Sequence, residues 1–172
     1  MSSINAPASS SPPADGRSDF DFLHGSWRVA NRRLANPLDP VATTWIEFET
    51  IAVARPVLGG LGNTDTYDSI GEVPFHGMTL RLFDPSTCLW RIWWASASRP
   101  GHLDSPMEGR FEAGHGVFYG KDVLSGIDVD VRFDWYVDDS NHARWRQAFS
   151  TDRRLTWSEN FAMDFVRIAE HG

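Results

Sequence analysis

One cysteine, Cys88, in 172 residues is too few for an internal disulfide or a thiolate metal site. Basic clusters are also missing. The formal net charge is −7 and no run of Lys and Arg stands against it, which excludes nucleic acid and anionic membrane as natural partners. No stretch is apolar for long enough to cross a membrane as a helix. The six histidines are scattered without a His-x-x-x-His pair, so no metal is expected. Leu58-Gly59-Gly60-Leu61-Gly62 is glycine-rich, but it lacks the Lys and Ser/Thr of a phosphate loop and precedes no helix. No Gly-x-Ser-x-Gly elbow marks a serine nucleophile. Residues 1–18 are rich in Ser, Pro and Ala, without the basic start and apolar core of a signal peptide. They read as a disordered tail before one domain over residues 19–170, and a cytoplasmic location is expected.

What is present is aromatic surface: eight Trp and eleven Phe. Burying one such ring removes roughly 150–250 Å² from water, worth about 4–6 kcal/mol at ~25 cal/mol/Å². These rings must be core or pocket wall. They fall in short segments of alternating polarity separated by turn residues, and almost none of the chain repeats with helical period. The first segment, Phe20 to Leu34, reads as an apolar anchor (Phe20, Phe22, Leu23), a break at Gly25, and a strand with Trp27, Val29, Asn31 and Arg33 on one face.

Further strands are expected over Thr43–Val53, Asn63–Ser69, Phe75–Phe83, Leu89–Ser96, Met107–Glu112, Val117–Val123, Ile127–Val137, Ala143–Ser150 and Leu155–Ile168. Asp84-Pro85-Ser86-Thr87, Ala113-Gly114-His115-Gly116, Ser125-Gly126 and Asp138-Asp139-Ser140-Asn141 supply the turns. Ser150-x-Asp152-x-Arg154-x-Thr156-Trp157 resembles the Asp-box hairpin, with Arg154 in the place of its glycine. About ten antiparallel strands joined by short turns close most economically into an up-and-down β-barrel, which removes the edges and leaves room for one small ligand.

If the large aromatics face inward, alternation carries polar residues with them. Trp27 brings Asn31 and Arg33; Trp45 brings Glu47 and Glu49; Phe83 brings Arg81 and Thr79; Trp145 brings Gln147; Trp157 brings Glu159. Inward Arg33 and Arg81 then need Glu47, Glu49 or Glu159 as partners. The alternative is an ion-pair network in a filled barrel, or simply an outer face. The site set is Trp27, Asn31, Arg33, Trp45, Glu47, Arg81, Trp94, Trp135, Gln147 and Glu159, with Arg99 and His102 at a rim. Were the protein an enzyme, Glu47 or Glu159 would act as general base and Arg81 or Arg33 would steady an oxyanion.

Several motifs resemble a bacterial family of unknown function placed with the calycin-like (lipocalin and fatty-acid-binding-protein-like) barrels. They are Phe20-Asp21-Phe22-Leu23-x-Gly25-Ser26-Trp27, Leu58-Gly59-Gly60-Leu61-Gly62-Asn63, Thr79-Leu80-Arg81-x-Phe83-Asp84-Pro85, Gly109-Arg110-Phe111-Glu112 and Trp157-x-x-Asn160. The resemblance runs from Phe20 to Arg167 and implies the barrel. A more distant likeness is to nitrobindin, a ten-stranded haem barrel whose first strand also begins Gly-x-Trp. Its proximal histidine lies near the last strand, whereas Leu155–Ile168 here contains none, so haem is set aside and no cofactor is expected. The reading is therefore an all-β, calycin-like barrel that binds a small hydrophobic or amphipathic molecule, with a homodimer left open. The alternative is a cyclase or isomerase acting on a natural-product-like substrate in the same cavity.

Overall fold

The computed structural model describes residues 15–169. A short 3-10 turn (Asp21–Leu23) leads into ten strands: β1 (Gly25–Leu34), β2 (Trp45–Val57), β3 (Gly62–Ile70), β4 (His76–Asp84), β5 (Leu89–Ser96), β6 (Met107–Glu112), β7 (His115–Leu124), β8 (Ile127–Val137), β9 (His142–Ser150) and β10 (Ser158–Arg167). Each strand pairs antiparallel with its neighbours in sequence, and β1 pairs with β10 from Trp27↔Arg167 to Arg33↔Phe161, so the meander closes into a barrel. All ten expected strands are present. Of the expected tail, residues 1–14 lie outside the described residues, while the Gly16 carbonyl accepts a 2.9 Å bond from the indole of Trp90.

Local chemistry explains the turns. Ala113-Gly114 and Ser125-Gly126 both have positive φ at the two central residues, the conformation whose twist suits a two-residue hairpin. His115 therefore begins β7 instead of belonging to the turn. In the Asp-box turn, Asp152 accepts from the Thr156 amide at 2.9 Å, from the Thr156 hydroxyl and from the Ser150 hydroxyl at 2.7 Å. Arg154 takes the left-handed conformation (φ 69°) in the place of the motif's glycine.

Side-chain alternation fills the barrel from one end. Phe20 and Leu23 are buried under it, with Phe20 edge-on to Trp90, Phe111 and Trp135 at centroid distances of 4.9–6.0 Å. The Trp27 indole donates 2.7 Å to the Leu23 carbonyl, and Arg167 lies 4.1 Å from the Trp27 ring while donating to the carbonyls of Phe22 and His24. This plug is where the sequence placed its apolar anchor. Gly25 (φ 111°) makes the bend from plug to strand.

The outer face carries cross-strand ion pairs such as Arg28–Glu49, Arg91–Glu108 and Arg146–Asp164. A lipid-facing barrel would present an apolar band there. No helix among the described residues is long and apolar enough to cross a membrane.

Candidate ligand-binding site

Above the plug the interior is not filled. A chamber of about 130 Å³ is lined by Tyr67, Thr79 and Arg81 on one side and by Trp135, Trp145, Phe161 and Met163 on the other. It shares Phe75, Ile92, Trp94, Asp104, Phe133, Gln147 and Phe161 with an outer vestibule of about 570 Å³ that reaches the open end. The vestibule exists because β5 pairs with β6 only from Trp90↔Gly109 to Ile92↔Met107. Beyond that point Trp94–Ser96 runs free of β6, and residues 97–106 bridge the gap. The Asp104 amide donates 2.9 Å to the Trp94 carbonyl, which brings the Asp104 carboxylate to the wall. Trp94 packs on Tyr67 and Phe75, each at 5.7 Å between ring centres. Its indole lies over Gly77, where a Cβ would collide with the ring.

The chamber floor is a buried ion pair. Arg81 and Asp65 are each 2 % exposed, and Arg81 Nη1 donates 2.8 Å to Asp65 and 3.0 Å to the Asn63 side-chain carbonyl. Tyr67 donates its hydroxyl to the same Asp65 oxygen at 3.0 Å. Burial pushes the Tyr67 hydroxyl well above its usual range, the Asp65 charge adds to the shift and Arg81 opposes it, so Tyr67 is a donor at neutral pH. Burial works against the Arg81 charge, yet Asp65 and the Tyr67 oxygen outweigh it and the guanidinium stays ionised. Phe20 and Trp135 flank the cation at 5.0 and 5.6 Å. The cluster is incompletely satisfied: Arg81 Nε and Asp65 Oδ1 are buried without hydrogen-bond partners among the described residues.

Alternation thus brings Arg33, Arg81, Trp94, Trp135 and Gln147 to one cavity. Trp27 and Asn31 also point inward but do not line it. Trp27 belongs to the plug, and Asn31 is buried against Thr50 at 3.1 Å. Trp45, Glu47 and Glu49 are on the outer face, because Phe48, Thr50, Ala52 and Ala54 take the inner parity of β2. Arg32 covers Trp45 at 5.1 Å. Glu159 is also outside, 3.6 Å from Arg32 and 4.0 Å from Arg146. A register shift between Glu159 and Phe161 reverses the alternation there. Glu47 and Glu159 are therefore not placed to act as bases on a molecule in the chamber, and none of the three glutamates is a partner to Arg81. Trp157 packs on the outside against Tyr119 and Arg132. His102 sits on the outer side of the rim loop, 2.8 Å from Arg99 and 3.3 Å from Asp104.

Asp65, Tyr67, Phe75 and Asp104 were missed. Asn63-x-Asp65-x-Tyr67 is one face of β3, but Thr64, Thr66 and Asp68 make the other face equally polar, so sequence alone does not reveal which face is inner. Among the described residues no group of three or more His, Cys, Asp or Glu is placed to hold a metal ion.

No protein-family model matches this sequence, and no curated protein matches it. Solved structures do. The S-type phycobiliprotein lyase CPES from Guillardia theta superposes with a TM-score of 0.59 at 10% identity, covering 91% of this chain and 97% of that one. Rv2717c from M. tuberculosis superposes with a TM-score of 0.56 at 12% identity, covering 92% and 99%. At such identities the likeness establishes the fold: this chain forms a ten-stranded barrel of the calycin-like type.

Proposed function

We propose that the protein binds a small, flat, largely apolar molecule inside the barrel, with a hydrogen-bond acceptor on its inner end held by Arg81. The observation that carries this reading is the pairing of an aromatic chamber with an ionised arginine at its floor whose Nε has no acceptor among the described residues. An apolar wall with a few convergent polar groups is the usual form of a small-molecule site. An acceptor on the ligand that meets the chamber-facing edge of the guanidinium gains a charge-assisted hydrogen bond. Trp94, Trp135 and Trp145 supply faces for stacking, and the vestibule supplies the route in. The fold shared with a phycobiliprotein lyase is compatible with a ligand in this position.

The test is titration with N-phenyl-1-naphthylamine, a neutral aromatic probe that accepts energy from tryptophan. Saturable one-to-one binding with energy transfer is expected, and Ile92→Trp, which fills the junction of chamber and vestibule, should abolish it. Absence of saturable binding, or binding that survives Ile92→Trp unchanged, would overturn the proposal.

A further inference from the structure

Two arginines reach the interior, and their surroundings differ in one decisive respect. Arg81 is neutralised: Asp65 lies 2.8 Å away and the pair is sealed from solvent. Arg33 lines the vestibule between Phe161 and Ile46, its pairing partners on β10 and β2, and has no carboxylate within salt-bridge distance among the described residues. Its Nε is buried without a hydrogen-bond partner among the described residues, and the Phe48 ring lies 5.8 Å from the guanidinium carbon.

The vestibule as a whole follows Arg33. It presents three basic side chains, Arg33, Arg99 and Lys121, against two carboxylates, Asp104 and Asp122. Arg99 is already bound to Asp104 at 2.8 Å. A protein of net charge −7 thus has a mouth with an excess of positive groups. Such a mouth draws in anions along field lines focused by its low-dielectric walls.

We infer that the ligand is an amphipathic organic acid, bound with its anionic group at the mouth on Arg33 and a neutral acceptor, such as a carbonyl or hydroxyl, at the floor on Arg81. This deepens the ligand-binding reading and rests on it. The reverse orientation is costly. A carboxylate at the floor would share a dry site with Asp65 and leave an uncompensated negative charge there, the arrangement that buried ion clusters tolerate least. A neutral acceptor at the floor adds no charge and takes a hydrogen bond from Arg81. At the mouth the same carboxylate meets a cation that has no counter-ion and lies near water.

A matched probe pair tests the orientation. 8-Anilino-1-naphthalenesulfonate and N-phenyl-1-naphthylamine share one ring system and differ by the sulfonate. Full-length protein should bind the sulfonate about tenfold more tightly, the effect of one partly exposed charge pair. Arg33→Gln should abolish that preference by weakening the sulfonate, bringing the ratio of the two affinities to within about twofold of one. Arg33→Lys, which keeps the charge, should retain most of the preference, and added salt should weaken only the sulfonate. Circular dichroism confirms that each variant is folded. A preference that survives Arg33→Gln would place the anion elsewhere and overturn the inference while the cavity reading stands. Failure of both probes to bind wild-type protein would overturn the cavity reading itself.

Discussion

At the end where the chain enters, the hairpins turn within residues 58–61, 85–88, 113–114 and 138–141, and the interior is packed with rings. At the other end, residues 35–44 and 97–106 form long connections, β5 parts from β6, and the interior opens. One end spends its aromatic residues on one another; the other leaves Phe75, Trp94, Phe133 and Phe161 with faces toward a cavity. The difference shows how a single meander supplies both a folding core and a binding surface. Ring-on-ring packing is concentrated in the plug, which leaves the rim free to be shaped by a ligand.

The sharpest way to break that division is to remove one ring from each end. Phe20 is fully buried and touches Trp90, Phe111, Phe118 and Trp135. Phe20→Ala should cost about 4–5 kcal/mol, the upper end for a buried phenylalanine, since the barrel wall cannot collapse onto the gap. Phe75 is only half-buried at the mouth, and Phe75→Ala should cost about 1 kcal/mol. Urea denaturation of both variants measures the ratio. Equal losses would show that the rim, too, is part of the folding core.

The floor lies between the two ends, and its ion pair gives the next largest effect. Arg81→Met leaves the Asp65 carboxylate buried without its cation and should lose about 3–4 kcal/mol. The double variant Arg81→Met, Asp65→Leu should be more stable than Arg81→Met alone, because it removes both charges together. A double variant that is no better would mean that the Tyr67 hydroxyl, not Arg81, offsets the cost of burying Asp65.

The sequence made the closed end legible and the floor illegible for the same reason. Trp27, Val29 and Asn31 fall on one parity with Arg28 and Ala30 on the other, so the inner face of β1 announces itself and takes Arg33 with it. Likewise Phe83 identifies the parity of Arg81, and Trp145 that of Gln147. The start of β2 carries Trp45 on one parity and Ile46 and Phe48 on the other, and size misled: the larger ring is outside, under Arg32. Glu159 was lost to a one-residue bulge that no local residue type betrays. Asp65 was lost because both faces of β3 are polar. What alternation cannot show is a strand without an apolar face, and that strand supplies the partner of the one fully buried arginine.

A smaller contrast concerns acid. The plug is fastened by Arg167 donating to backbone carbonyls of Phe22, His24 and Ser140, acceptors that do not titrate. The Asp-box turn at the open end is fastened by a carboxylate. Bonds from the Thr156 side chain and amide, then from Ser150, hold the Asp152 carboxyl down at about 2. A folded-state value below the unfolded one, near 3.9, means that the turn's contribution is complete above about pH 4 and is lost as pH falls toward 2. Acidification through that window should therefore lower the hydrogen-exchange protection, measured against the intrinsic rate at each pH, of the Thr156 and Arg154 amides, which are bonded to Asp152 and Ser150, before it affects the plug amides of Leu23 and His24. The Asp152 carboxyl carbon, followed by nuclear magnetic resonance, should titrate with a midpoint near 2. A midpoint near 4, or protection that falls at both ends together, would show that the open end has no acid-labile fastening of its own and that the two ends melt as one unit.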